Sequence, residues 1–128
     1  DGYDFGQTYI EVDLATQHLY FYKDGKVIID SPFVSGNVSK NYTTPPGLFE
    51  LYYKQKDRVL KGEDYAAPVK YWMPFVYGQG LHDASWQSAF GGNRYKTGHG
   101  SHGCINLPED QAALIYNTID GGYPIIIY

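Results

Sequence analysis

One cysteine, Cys104, and one methionine occur in 128 residues. A single thiol excludes an internal disulfide and a multi-cysteine zinc cage, leaving either a small buried hydrophobe or a reactive group. Apolar runs reach only four or five residues, as at Ile125–Tyr128, far short of a spanning helix. Cations are few and scattered, 10 Lys and Arg against 14 Asp and Glu, for a net charge of −4 and a pI near 5.4. No basic face suited to a phosphate backbone results, so nucleic acid is not an expected partner. No charged-then-apolar leader opens the chain either. A signal or anchor segment is therefore expected outside these residues, and no membrane contact from this domain itself.

Tyrosine is abundant instead, with 14 residues beside 6 Phe and 2 Trp. Tyr suits half-buried pleated surfaces and wet grooves, where one end is apolar and the other hydrogen-bonds. With 43% hydrophobic and 19% charged residues, the composition is that of a folded globule, and the length fits one domain spanning 1–128.

The pattern along the chain is mainly β. Thr8–Asp13 alternates, with Ile10 and Val12 on one face and Glu11 and Asp13 on the other. Gln17–Lys23 sets Leu19 and Phe21 opposite His18, Tyr20 and Tyr22, and Asp24-Gly25 signals a hairpin returning through Lys26–Val34. Ser35–Gly47 reads as a turn-rich connection, Leu48–Lys54 and Val69–Val76 as strands, and Gly78–Thr97 as irregular with a short helical turn near Ser85–Ala89. One helix is predicted at Pro108–Thr118, from Pro and two acids at its start and Ala112, Ile115 and Ile119 at helical spacing. Asp120-Gly121-Gly122 ends it, and Tyr123–Tyr128 reads as an apolar, central last strand.

Chemistry-bearing residues cluster between His82 and Asn106: His82, Asp83, His99, Ser101, His102, Cys104 and Asn106. Glycines 98, 100 and 103 permit close backbone approach or positive φ, and a Gly-rich turn with outward N–H groups suits an oxyanion hole. A cysteine nucleophile needs a base and donors for the developing oxyanion. A neighbouring imidazolium and the helix starting four residues later are expected to lower the thiol's pKa.

Ser101-His102-Gly103-Cys104-Ile105-Asn106 with His82 upstream resembles the signature of the L,D-transpeptidase (YkuD) catalytic domain. The likeness extends to the opening β-meander, a Thr-Pro-Pro-Gly turn, Tyr71-Trp72-Met73-Pro74 and Gly80-Leu81-His82-Asp83. It implies a β-sandwich or β-rich domain with one main helix near the C-terminus. It also implies a bacterial enzyme outside the cytoplasmic membrane that joins peptidoglycan stem peptides by 3–3 cross-links and is acylated by carbapenems. By resemblance, Cys104 is the nucleophile that expels D-alanine and His82 the general base. Asp83 stands where the family uses a backbone carbonyl to orient the imidazole. His102, Gly103 and Cys104 stand where backbone amides hold the oxyanion, and Ser101 and Asn106 where side chains brace the loop. Trp86 resembles a pocket-wall aromatic. Tyr65, Tyr71 and Trp72 fall where the family folds a lid, so they are candidate substrate contacts with Asn106. His99 lies in a stretch at or slightly beyond the family's usual spacing, and reads as a solvated loop residue.

Two readings from other classes compete. His82, His99, His102 and Cys104 could together hold zinc, although no carboxylate base stands beside them. A silent cell-wall binding module would also suit the tyrosine content. Papain-like enzymes usually place Cys before His, and sortase-like ones add a downstream Arg, which is absent after Cys104. The resemblance implies no metal or organic cofactor, and an L,D-carboxypeptidase using the same thiol stays open beside the transpeptidase.

Overall fold

The computed structural model describes residues 8–36, 44–61, 66–76, 79–87, 89–92, 96, 103–119 and 123–128. Tyr65, His99, Ser101, His102 and the Asp120-Gly121-Gly122 stop signal lie outside the described residues.

β1 (Tyr9–Asp13), β2 (His18–Lys23) and β3 (Lys26–Pro32) form an antiparallel meander. Asp24 and Gly25 turn β2 into β3 with φ of 52° and 78°, the paired positive values that a tight hairpin demands. β9 (Pro124–Ile127) runs parallel to β1 and antiparallel to β4 (Gly47–Glu50), giving a five-stranded sheet in the order β3-β2-β1-β9-β4. The last strand is thus interior, as its apolar run predicts. Alternation holds along β1 and β2: Ile10, Val12, Leu19 and Phe21 are fully buried, while Tyr9 and Tyr22 stack 4.8 Å apart on the other face.

A second sheet has the order β5-β6-β7-β8, from Gln55–Lys61, Ala66–Val76, Gln79–Asp83 and Ile105–Leu107. Met73, Phe75, Leu81, Ile105 and Leu107 of this sheet share one core with Ile10, Val12, Leu19 and Phe21 of the first. Helix α1 (Glu109–Thr118) lays Ala112 and Ile115, with Ile119 just past its end, into the same core. Pro108 stands at its N-cap, and Glu109 and Asp110 complement its positive end. Val34 and Asn106 exchange backbone hydrogen bonds of 2.9 Å, tying the chain after β3 to β8.

Three stretches depart from the sequence pattern. Leu48–Lys54 is not one strand: β4 ends at Glu50, and the chain crosses to the second sheet before β5, a strand the pattern did not signal. β6 begins at Ala66, earlier than Val69, because its first residues pair only with β5. Gly78–Thr97 contains β7, and Ser85–Trp86 is a turn without helix among the described residues. Glycine content misleads there. Gly80 is required because a Cβ would come within 2.6 Å of the Met73 carbonyl oxygen, where β6 and β7 approach closely.

Candidate active site

β7 and β8 run parallel, with Leu81 opposite Ile105, His82 opposite Asn106 and Asp83 opposite Leu107. Cys104 directly precedes β8 and comes alongside Gly80. On β6, Trp72 lies opposite His82. Alternation sends Leu81, Ile105 and Leu107 into the core and leaves Trp72, His82 and Asn106 in a row on the other face, with Cys104 one step along. The short β8 therefore brings the thiol and the imidazole, distant in sequence, onto one face of adjoining strands.

His82 is 2% exposed. Its Nδ1 lies 2.6 Å from the Asp83 carbonyl oxygen. A carbonyl only accepts, so Nδ1 carries the proton and Nε2 keeps its lone pair. Burial pushes the imidazole's pKa below its ordinary value, against opposing pulls from the Asp83 carbonyl and the Asp83 charge. The ring is neutral at neutral pH, the form a base needs. Two indoles flank it, with Trp72 and Trp86 ring centres 5.9 Å and 5.7 Å away. Trp86 is half exposed, whereas Trp72 is buried and packs with Val69, Leu60 and Cys104.

The expected lowering of the thiol pKa is overturned. Burial of Cys104 pushes it up to about 11, and a hydrogen bond with the Gly80 backbone only partly opposes this. Among the described residues the two expected stabilisers do not act. His82 is neutral and supplies no imidazolium. The extended β8 carries the start of α1 roughly 10 Å along the sheet, beyond the reach of a helix terminus. Burial thus favours the neutral forms of both the thiol and the imidazole.

The turn before Cys104 is held from behind. Gly103 has φ of 114°, which L side chains rarely adopt, and its carbonyl accepts a 2.8 Å hydrogen bond from Thr44 Oγ1. Thr44 Oγ1 in turn accepts from the Gly36 N–H at 2.9 Å. A Cβ on Gly103 would also collide with the Gln79 amide. The Asn106 side chain is buried, and neither of its amide atoms has a hydrogen-bond partner among the described residues. Tyr71 is not brought to this face: it packs on the main core, with Tyr116 5.2 Å away. The Asp83 carboxylate does not meet the imidazole through any hydrogen bond, and accepts instead from the Lys70 and Tyr71 backbone.

Several contributors escaped sequence reading. Arg58 lies 5.5 Å from the Trp72 ring and donates from Nη1 to Tyr53 Oη and Gln55 Oε1 at 3.3 and 3.2 Å. Trp72 Nε1 donates to the same Tyr53 hydroxyl at 3.3 Å. Val69 carries no sequence signal. Gly80 could have been found, as a glycine two residues before His82 where the backbone must come close.

Two sheets share a core and place a buried thiol and a carbonyl-held imidazole on adjoining strands of the second sheet. The sequence model of the L,D-transpeptidase catalytic domain, YkuD, matches residues 7–127, and the chain belongs to that family. It is 27% identical to L,D-transpeptidase 1 of Mycobacterium tuberculosis over 98% of its own length and 52% of that protein. It superposes on a crystal structure of Enterococcus faecium L,D-transpeptidase with a TM-score of 0.90 and 42% identity, over 96% of this chain and 50% of that one. The isolated catalytic domain of the same enterococcal enzyme, acylated by ertapenem, gives a TM-score of 0.83 and 43% identity over 95% and 97% of the two chains. The chain thus spans about half the length of the longer relatives. The expected mainly β fold, with two sheets and one helix near the C-terminus, is the family's fold.

Proposed function

We propose that residues 1–128 form the catalytic domain of a peptidoglycan L,D-transpeptidase that makes 3–3 cross-links through a Cys104 thioester. The observation that carries this reading is the neutral His82, whose Nδ1–H is occupied by the Asp83 carbonyl and whose Nε2 is left as a base on the face of Cys104. In the first half-reaction Nε2 takes the thiol proton as sulfur attacks the carbonyl of the third stem residue. The amide bond to D-alanine breaks, and the leaving amine takes that proton from the imidazolium. In the second half-reaction the acceptor amine attacks the thioester and its proton passes to Nε2. The C–S bond breaks and the thiol is restored.

Backbone amides of the His102–Cys104 turn are assigned to the oxyanion, with Ser101 bracing the turn. Trp72 and Trp86 wall the imidazole, and Asn106 remains a candidate substrate contact. Tyr65 remains a candidate lid contact. Carbapenems would acylate the same thiol, consistent with the ertapenem adduct of the enterococcal relative. The chemistry belongs on the cell-wall side of a bacterial membrane, and no described helix is long and apolar enough to cross one.

The test is mass spectrometry of disaccharide-tetrapeptide incubated with the protein and with Cys104→Ala. A cross-linked dimer lacking one D-alanine, absent with the variant, is the expected product. Tripeptide alone would make the domain a carboxypeptidase working through the same thioester. An unchanged mixture would favour a binding module.

A further inference from the structure

Asp83 makes two separate sets of contacts. Its backbone carbonyl holds His82, while its buried carboxylate turns to β6: Oδ1 accepts from the Lys70 and Tyr71 N–H groups at 2.9 and 2.8 Å, and Oδ2 lies 3.1 Å from Lys70 N. In a regular strand, consecutive N–H groups point to opposite sides. One carboxylate receiving both means that the alternation of β6 is broken between residues 70 and 71. Across the hairpin, Asp57 stands level with Lys70 and has φ of 55°, so both strands kink at the same place. The effect is visible in the packing. Val69 and Trp72, three residues apart, share one face and pack together with Cys104, which strict two-residue alternation forbids. The ladder between β6 and β7 stops at Trp72 and His82, and β6 continues toward Ala66 paired with β5 alone.

We propose that the Asp83 carboxylate is a positioning group for the Cys104–His82 pair, holding the kink that turns Val69 and Trp72 onto the thiol and the imidazole. The proposal rests on reading those two residues as the reacting pair. The carboxylate supplies acceptors where β7 stops supplying backbone ones, and a charged acceptor shared by two part-buried N–H groups is a strong tie. Without it, both N–H groups lose their acceptor and the β5–β6 arm reverts to regular pleating. Trp72 then leaves His82 and Val69 leaves Cys104. One residue thereby couples the orientation of the base to the cover over it.

The competing role is electrostatic, with the carboxylate acting through its charge on the imidazole. Two substitutions separate them. Asp83→Asn keeps an oxygen where Oδ1 sits, able to accept from both N–H groups, but has no charge. Asp83→Ala has neither. The assay is the rate of ertapenem acylation of Cys104 against pH, with the adduct located by mass spectrometry, beside amide exchange at Lys70 and Tyr71. The positioning role requires Asp83→Ala to slow acylation about 100-fold, the scale of an ångström-level misplacement, and both amides to lose protection. Asp83→Asn should lose less than about tenfold, with the pH midpoint of the acid limb where the wild type has it. Equal losses in both variants with a shifted midpoint would assign the carboxylate to the imidazole's charge balance and overturn the proposal. So would protected Lys70 and Tyr71 amides in Asp83→Ala. If Asp83→Ala does not fold, the midpoint and rate of Asp83→Asn alone decide between the two roles. Absence of any wild-type adduct at Cys104 would instead refute the reacting pair, while the amide exchange would still read the kink.

Discussion

The raised thiol pKa makes a quantitative prediction about reactivity without substrate. Burial lifts Cys104 from 9.0 to about 11, a change worth about 3 kcal/mol and a factor of about 100 in thiolate population. At pH 7 only about one thiol in ten thousand is ionised, against about one in a hundred at the ordinary value of 9.0. A small neutral alkylating agent such as iodoacetamide has no proton to exchange with His82 and reads the thiolate directly. Its reaction with Cys104 in the folded protein should therefore be about 100-fold slower at pH 7 than in the urea-unfolded chain. The rate should keep rising through pH 9 to 10 without a plateau. Trp72→Ala, which uncovers the thiol, should narrow the gap. The same shift enters stability with a definite sign. The folded pKa exceeds the unfolded one, so its contribution is intact below pH 9 and is lost as pH rises toward 11. Cys104→Ala should flatten that alkaline slope relative to wild type. A fast alkylation rate, flat from about pH 5 to 8, would refute the reasoning, since it would mean a preformed thiolate–imidazolium pair.

Two further predictions concern the groups around the thiol. His82→Ala should lower the ertapenem acylation rate by roughly 100-fold or more, the range of general base catalysis, and His99→Ala far less; equal losses would mean the base is misassigned. Gly80→Ala places a Cβ within 2.6 Å of the Met73 oxygen and 2.7 Å of the Pro74 Cα, so β6 and β7 must part. It should cost about 1–3 kcal/mol in urea unfolding and slow acylation; wild-type values for both would show that the close approach is dispensable.

How far the site was legible follows from which interactions are local. The Asp24-Gly25 turn, the alternation of Ile10, Val12, Leu19 and Phe21, and the Ala112, Ile115 and Ile119 spacing depend on neighbours a few residues away, and they read directly. β5, β7 and β8 did not. β5 is mostly exposed and charged and lacks a buried stripe, β7 is masked by its glycine, and β8 is three residues long. Each is a strand because of the partner it meets, and a partner distant in sequence leaves no mark on local composition. The expectation for the thiol failed for a related reason. Cys104 and the helix start are close in sequence, but three extended residues separate them by more than a helix end can influence.

The amino-acid sequence by itself supplied the candidate reacting groups: one thiol, an upstream histidine and a glycine before the cysteine, in an order specific enough to resemble one family. It also determined the β-rich architecture, because period-two patterns and turn residues are local. Only the tertiary structure decided the direction of the pKa shifts, since Trp72 arrives from another strand to pack with Cys104 and beside His82. It alone decided that the Asp83 carboxylate turns to the β6 backbone, while the Asp83 carbonyl meets the imidazole as the resemblance implied. Charge and hydrogen bonding depend on what surrounds an atom in space, and along the chain those neighbours lie far apart.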